Sequence, residues 1–242
     1  MGVALSRRRN ILIILAAASL LVPAGASAQR RISADVEVKQ AAGGKVATIT
    51  KRVHCSSDGR AVIHFLKPQE YILVTNVKGE TRMYIPSSNE VIIDNSASLT
   101  SQDELVSVIM SGRAEDLGLG MYGYRLQSST REDGLVKKTY VTDKSGDIPK
   151  VEIVFENFLP IYCGYIDASG KTVTKTYYSN YVPAGRMMLP TRATSITYTS
   201  PKDSSVMRTI YSDIKVDGDD PLFDFQVPSN AKVVGTAKIP GR

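Results

Sequence analysis

The stretch Gly59–Ile93, GRAVIHFLKPQEYILVTNVKGETRMYIPSSNEVII, holds four short apolar runs. Lys67-Pro68-Gln69, Lys78-Gly79-Glu80 and Pro86-Ser87-Ser88-Asn89 divide them. β-Branched and aromatic residues fill the runs while Pro, Gly, Asn and Ser fill the gaps, the pattern of antiparallel strands joined by hairpins. Several runs are apolar on both faces. Along Glu70–Val77, one face would carry Tyr71, Leu73, Thr75 and Val77, and the other Ile72, Val74 and Asn76. A strand with one face in water alternates apolar with polar instead. A single core therefore does not suffice, and something further must cover this sheet.

The N-terminus reads as a targeting segment. Arg7-Arg8-Arg9 supplies a positive region, Ile11–Val22 an apolar core and Ala26-Ser27-Ala28 a small-residue cleavage site before Gln29. The apolar run is shorter than the roughly 20 residues that a membrane-spanning helix requires. Arg8-Arg9 loosely echoes a twin-arginine signal, but the strongly apolar core favours general secretion. No cysteine stands directly after the cleavage site. The expectation is a leader over 1–28, cleaved after Ala28, and a soluble exported chain over 29–242 folding as one domain. The full chain of 242 residues has 30 basic and 24 acidic side chains. Removing the three leader arginines leaves 27 against 24, a net charge of +3. With no basic block in the mature chain, nucleic-acid binding is not expected.

Ile32–Lys39 alternates cleanly and, with Val46–Cys55, opens a β-meander. After Gly59–Ile93 comes the one convincing helix. Ser101-Gln102-Asp103-Glu104 fits a capping box, Leu105, Val108 and Ile109 form an apolar stripe, and Gly112 is a natural stop. Strand-like runs resume from Met121 to Lys215, which brings the total to about eleven strands, enough to make a sheet curl. Cys55 and Cys163 could pair in an oxidising compartment, or sit apart as small buried hydrophobes.

Gly118-Leu119-Gly120-Met121-Tyr122-Gly123 matches GxGxxG literally, but it follows a helix and leads into strands, so it reads as a flexible connection. His54 and His64 are the only histidines; neither lies in HExxH, and the chain has no GxSxG elbow. They read as sheet residues, and neither a metal nor a cofactor is expected. Twelve tyrosines without tryptophan suggest strand faces and cavity walls.

Lys67-Pro68, Tyr71, Gly79, Tyr84 and Pro86, in that order, together with Asp219-Asp220-Pro221 and Phe223-Asp224-Phe225-Gln226-Val227-Pro228 near the end, resemble the periplasmic outer-membrane lipoprotein carrier family (LolA/LolB-like). The resemblance implies a mainly β (α+β) fold: an antiparallel, strongly bent sheet forming an incomplete β-barrel with a helical lid. It also implies a non-catalytic carrier or chaperone in the periplasm, acting as a monomer in outer-membrane lipoprotein sorting. Its ligands would be lipoprotein or other acyl chains. Its partners would include inner- or outer-membrane lipoprotein-handling proteins. Cavity and lid positions would be Ile63, Phe65, Tyr71, Leu73, Met83, Ile85, Leu105, Val108, Ile109, Met110 and Phe155, with Lys67 as a gate. The bland reading is a turn lysine, a core tyrosine and a helix packed on a sheet. The chain departs from the family in lacking an N-terminal helix, and in carrying Lys67 where the family usually has Arg, whose fork a lysine does not copy. The alternative function is an interaction or sensor module on the same fold, as in envelope-stress regulators; a hydrolase stands third.

Overall fold

The apolar runs become strands of one large curved sheet in the computed structural model, which describes residues 30–78, 80–94, 105–200 and 203–235. The expected leader, Gly79, Pro201-Lys202 and the capping box Ser101–Glu104 lie outside these residues. The first half comprises β1 (Arg31–Ala42), β2 (Lys45–Ser56), β3 (Ala61–Lys67), β4 (Tyr71–Thr75), β5 (Thr81–Ile85) and β6 (Glu90–Asp94). A short helix, α1 (Leu105–Met110), intervenes. The second half comprises β7 (Arg125–Glu132), β8 (Leu135–Val141), β9 (Lys150–Glu156), β10 (Leu159–Ile166), β11 (Thr172–Ala184), β12 (Met187–Ser200) and β13 (Asp203–Val216). A two-residue strand, β14 (Lys232–Val233), ends the order.

Among the described residues fourteen strands thus form, against about eleven expected. The four short runs of Gly59–Ile93 each make a strand, as expected, and the tail adds one that was not expected. The spatial order is β14-β6-β5-β4-β3-β2-β1-β13-β12-β11-β10-β9-β8-β7, with β1 paired to β13 across the middle. Every pairing is antiparallel except β14 with β6. The sheet is not closed into a barrel, since β7 and β14 stand at its two ends.

Helix is scarce. The described part of the expected three-turn helix is the six residues of α1. Gly112 ends it as expected, taking φ +74° while the Arg113 amide donates to the Val108 carbonyl. The strand expected from Met121 starts later, at Arg125. Gly118 and Gly123, both at positive φ, bracket a 3-10 turn at Leu119–Tyr122 instead.

The two-sided apolarity of Gly59–Ile93 has two different covers. On the inner face, which carries α1, Ile63, Leu73 and Met83 join Ala34, Val36, Val53 and Cys55 beneath Val106, Ile109 and Met110. On the outer face, Val62, Ile72, Val74 and Tyr84 pack against Phe225, Val227 and Ala231 of the tail. The strand register brings the outer four together, pairing Val62 with Val74 and Ile72 with Tyr84. A third cluster, Tyr140, Val151, Ile153, Phe155 and Cys163 with Leu119, forms the core of the second half.

Polar anchors hold the tail in place. Asp220 caps a 3-10 turn at Pro221–Asp224, its carboxylate accepting from the Leu222 amide at 2.9 Å. Phe223 is buried to 1% exposure, edge-on to the His54 ring at 5.0 Å and beneath the Arg31 guanidinium at 5.3 Å. Arg31 donates both guanidinium nitrogens to Asp224 at 3.0 and 2.9 Å. Arg60 donates Nε to the Phe223 carbonyl at 2.9 Å and Nη2 to the Phe225 carbonyl. His54 Nε2 lies 2.9 Å from the second Asp220 oxygen. Partial burial pushes the Asp220 carboxyl up, yet the Leu222 amide, His54 and Arg52 together hold it below the usual aspartate range. A carboxylate depressed on folding contributes stability above its unfolded pKa, and that contribution is lost as pH falls through the folded value. Asp220→Asn should therefore lower stability at neutral pH and flatten its decline on acidification, as read by thermal melts between neutral and acid pH.

Candidate functional site: an open groove on the inner face

The strands β10 to β13 present alternating residues to the same face that carries α1. Tyr165, Thr176, Tyr178, Ser195, Thr209 and Tyr211 form the floor of an open groove of about 820 Å³. Leu105 and Val108 of α1 bound one side, Leu119, Met121 and Tyr122 of the 3-10 turn another, and the loop 142–148 a third. Ala193 and Met207 add apolar surface to the floor. Side chains from seven separate stretches converge here because a curved sheet brings one face of distant strands toward a common centre.

Local chemistry fixes the rim. Asp116 accepts from the Gly118 and Gly120 amides, each at 2.9 Å, and so holds the Gly-rich segment in its tight turn. The Tyr140 hydroxyl donates to the Glu115 carbonyl at 3.0 Å, tying that segment to β8. The Tyr124 hydroxyl donates to the Ile148 carbonyl at 2.7 Å, joining two walls of the groove. Gly123 sits at φ +86°, and a Cβ there would lie 2.6 Å from Cε of Lys144. The lysine stem can move aside, so the left-handed backbone sets the penalty. Gly123→Ala should cost about 1–2 kcal/mol, measured as a lower unfolding midpoint.

The groove offers hydroxyl groups in their neutral form. Burial pushes the Tyr165 and Tyr178 phenols well above their ordinary value. Tyr140 rises to about 12 through burial and then the nearby Asp116 and Glu115 carboxylates. The Thr176 and Ser195 hydroxyls bond one another at 2.8 Å. Burial pushes the Cys163 thiol up to about 12, far from thiolate chemistry at neutral pH. The charged lining residues are Lys144 and Asp147, both in the loop 142–148. Such a lining can bury apolar matter and donate a few hydrogen bonds. Both histidines lie elsewhere: His64 Nε2 is 2.9 Å from Glu70, and His54 belongs to the tail anchor.

Several solved structures share this architecture. A DUF1329 family protein from Desulfovibrio piger aligns over 81% of this chain and 90% of its own, with TM-score 0.55 and 16% identity. A LolA superfamily protein from Nitrosomonas europaea aligns over 81% and 90%, with TM-score 0.54 and 17% identity. The chain has a LolA-type fold. A domain described as that of an outer membrane lipoprotein-sorting protein, from Vibrio parahaemolyticus, aligns over 80% and 89%, with TM-score 0.54 and 10% identity. At these identities the likeness is one of fold. No family model matches the sequence, and no curated protein does.

Within the LolA-type fold, the positions singled out from sequence fall in three places. Leu105 and Val108 line the groove. Ile63, Phe65, Tyr71, Leu73, Met83, Ile85, Ile109 and Met110 belong to the packed cluster under α1. Phe155 lies in the core of the second half. Tyr71 stacks on Phe65 across the β3–β4 pair, centroids 4.2 Å apart and planes 13° from parallel, with Lys51 5.4 Å from the Phe65 ring. Lys67 is exposed at the end of β3. Cys55 and Cys163 are buried in different clusters and are not bonded to each other. Sequence reasoning missed the floor tyrosines Tyr165, Tyr178 and Tyr211, although tyrosine abundance pointed to cavity walls. It also set aside the Gly-rich segment, which forms part of the groove rim. Among the described residues no helix is long and apolar enough to cross a membrane.

Proposed function

We propose that the chain is a non-catalytic, exported carrier that holds an acyl-chain ligand, such as the lipid of a lipoprotein, in the inner-face groove. The observation that carries this reading is the open groove of about 820 Å³, bounded on two of its sides by apolar residues and floored by neutral hydroxyls. Its size falls in the range of about 300–1,000 Å³ common for ligand sites. Each methylene removed from water contributes about 0.8 kcal/mol, so an acyl chain needs no charged partner to be held. α1 and the 3-10 turn act as a small lid, with Leu105 and Val108 touching the chain and the packed residues behind them fixing their positions. The LolA-type fold supports the reading, as does the leader-like N-terminus.

Organic extraction of the purified protein followed by lipid mass spectrometry tests it, together with titration of a fluorescent fatty acid. Recovered acyl species and saturable binding are expected. Their joint absence overturns the carrier.

A second reading, an interaction module, is favoured by β7. This strand ends the sheet, and all eight of its residues are exposed. Its outer backbone edge can take an added strand from a protein partner. A lipid-free pull-down that recovers one stoichiometric partner, lost on an Ser128→Pro change in β7, would support that reading over the carrier.

A further inference from the structure

The outer face of β10–β12, behind the groove, carries a second concavity of about 480 Å³. Tyr162 on β10 stands in register with Tyr177 on β11, ring centroids 5.4 Å apart and planes at 60°. Lys175, on the same face two residues earlier, places Nζ 5.3 Å from the centre of the Tyr198 ring on β12. Lys171, Thr172 and Ser200 complete the lining. Gly164, opposite Lys175 in the ladder, lets the Tyr162 side chain lie along the sheet, since a Cβ there would come within 2.5 Å of the Tyr162 hydroxyl oxygen. A glycine inside a strand often marks such a close approach.

We propose that this depression is a ligand site of its own, for a phosphorylated sugar. Tilted tyrosine faces take the C–H surface of a sugar ring, as they take other amphipathic surfaces. The hydroxyls of Thr172 and Ser200 suit sugar hydroxyls, and two ammonium groups suit a phosphate. The lining contains two cations and no carboxylate. Among the acids around the depression, Asp203 stands opposite Ser200 in the β12–β13 ladder, and two others are engaged. Glu152, beside Gly164 in the ladder, lies 3.8 Å from Lys150, and Asp167 accepts from the Ser169 and Lys171 amides at 2.9 Å. Hydrogen bonding to the Tyr198 hydroxyl, its largest influence, raises the Lys175 pKa and keeps the ammonium charged. A cross-strand tyrosine ladder that only stabilises the sheet would show the same ring pairs. It would not bind a sugar phosphate.

Calorimetry with glucose 1-phosphate, glucose and inorganic phosphate on the full chain separates these cases. Phosphatidylcholine vesicles with and without lipid A, a phosphorylated disaccharide lipid, give a second arm. Glucose 1-phosphate should bind at least about tenfold more tightly than either glucose or phosphate. Lys175→Met and Tyr177→Leu should each weaken it by at least about tenfold while the circular dichroism spectrum stays unchanged. Ala193→Trp, in the groove on the other face, should leave this binding intact. Binding to lipid A vesicles alone, lost in Lys175→Met, assigns the sugar phosphate to a lipid headgroup and supports the site. No saturable binding in either arm overturns the proposal, as does binding that phosphate alone matches or that a folded Lys175→Met retains.

Discussion

Phe223→Ala should destabilise the chain by about 3–5 kcal/mol, the usual cost of truncating a fully buried phenylalanine. Phe223 is 1% exposed, and its ring is the hub of the tail anchor, touching His54 and the Arg31 guanidinium. Its loss leaves a cavity between the 3-10 turn and β2. It also loosens the backbone carbonyls that Arg60 holds, so Phe225 and Val227 lose their fixed position over Val62, Ile72 and Val74. Denaturant unfolding gives the stability change directly. Binding of a dye specific for exposed apolar surface should rise in the variant below its unfolding midpoint. A loss under about 1 kcal/mol would show that the tail contributes little to holding this half of the sheet.

Ala193→Trp should weaken fatty-acid binding about two-hundredfold, because an indole on the groove floor displaces roughly four methylene groups at about 0.8 kcal/mol each. Ala193 pairs with Tyr178 on β11 and Thr209 on β13, so its side chain sits amid the floor with room above it. The strand accepts tryptophan well, and the melting temperature should stay near that of the wild type. Fluorescence titration alongside a thermal melt checks both. Wild-type affinity in a folded Ala193→Trp protein would place the ligand outside the groove. Phe223→Ala provides the converse control, losing stability while retaining affinity below its own melting temperature.

The strands were legible because hydrophobic alternation and turn residues are local signals, and most strands lie where those signals point, with β7 displaced by the 3-10 turn before it. The need for cover on both faces of Gly59–Ile93 was legible too, but not what supplies it. The sequence asks for a second cover without naming it. The structure shows the outer face covered by Phe225, Val227 and Ala231, roughly 140 to 170 residues further along the chain, a distance over which sequence pattern carries no information. The groove was half legible. Leu105 and Val108 follow helical spacing and do line it, whereas Tyr178 and Tyr211 sit among serines and threonines that look like any exposed strand. β14, two residues long and parallel, leaves no readable trace.

That small strand has a consequence for self-association. A sheet that exposes both edges can add copies of itself at either end, and growth then has no limit. Here the chain's own tail occupies β6 at Glu90 and Val91, while β7 remains open. β14 offers a two-residue end to any added strand, against the eight residues of β7, so edge-to-edge pairing is easier at β7. The tail thus shortens one edge of the sheet to a stub that a neighbouring strand finds hard to extend.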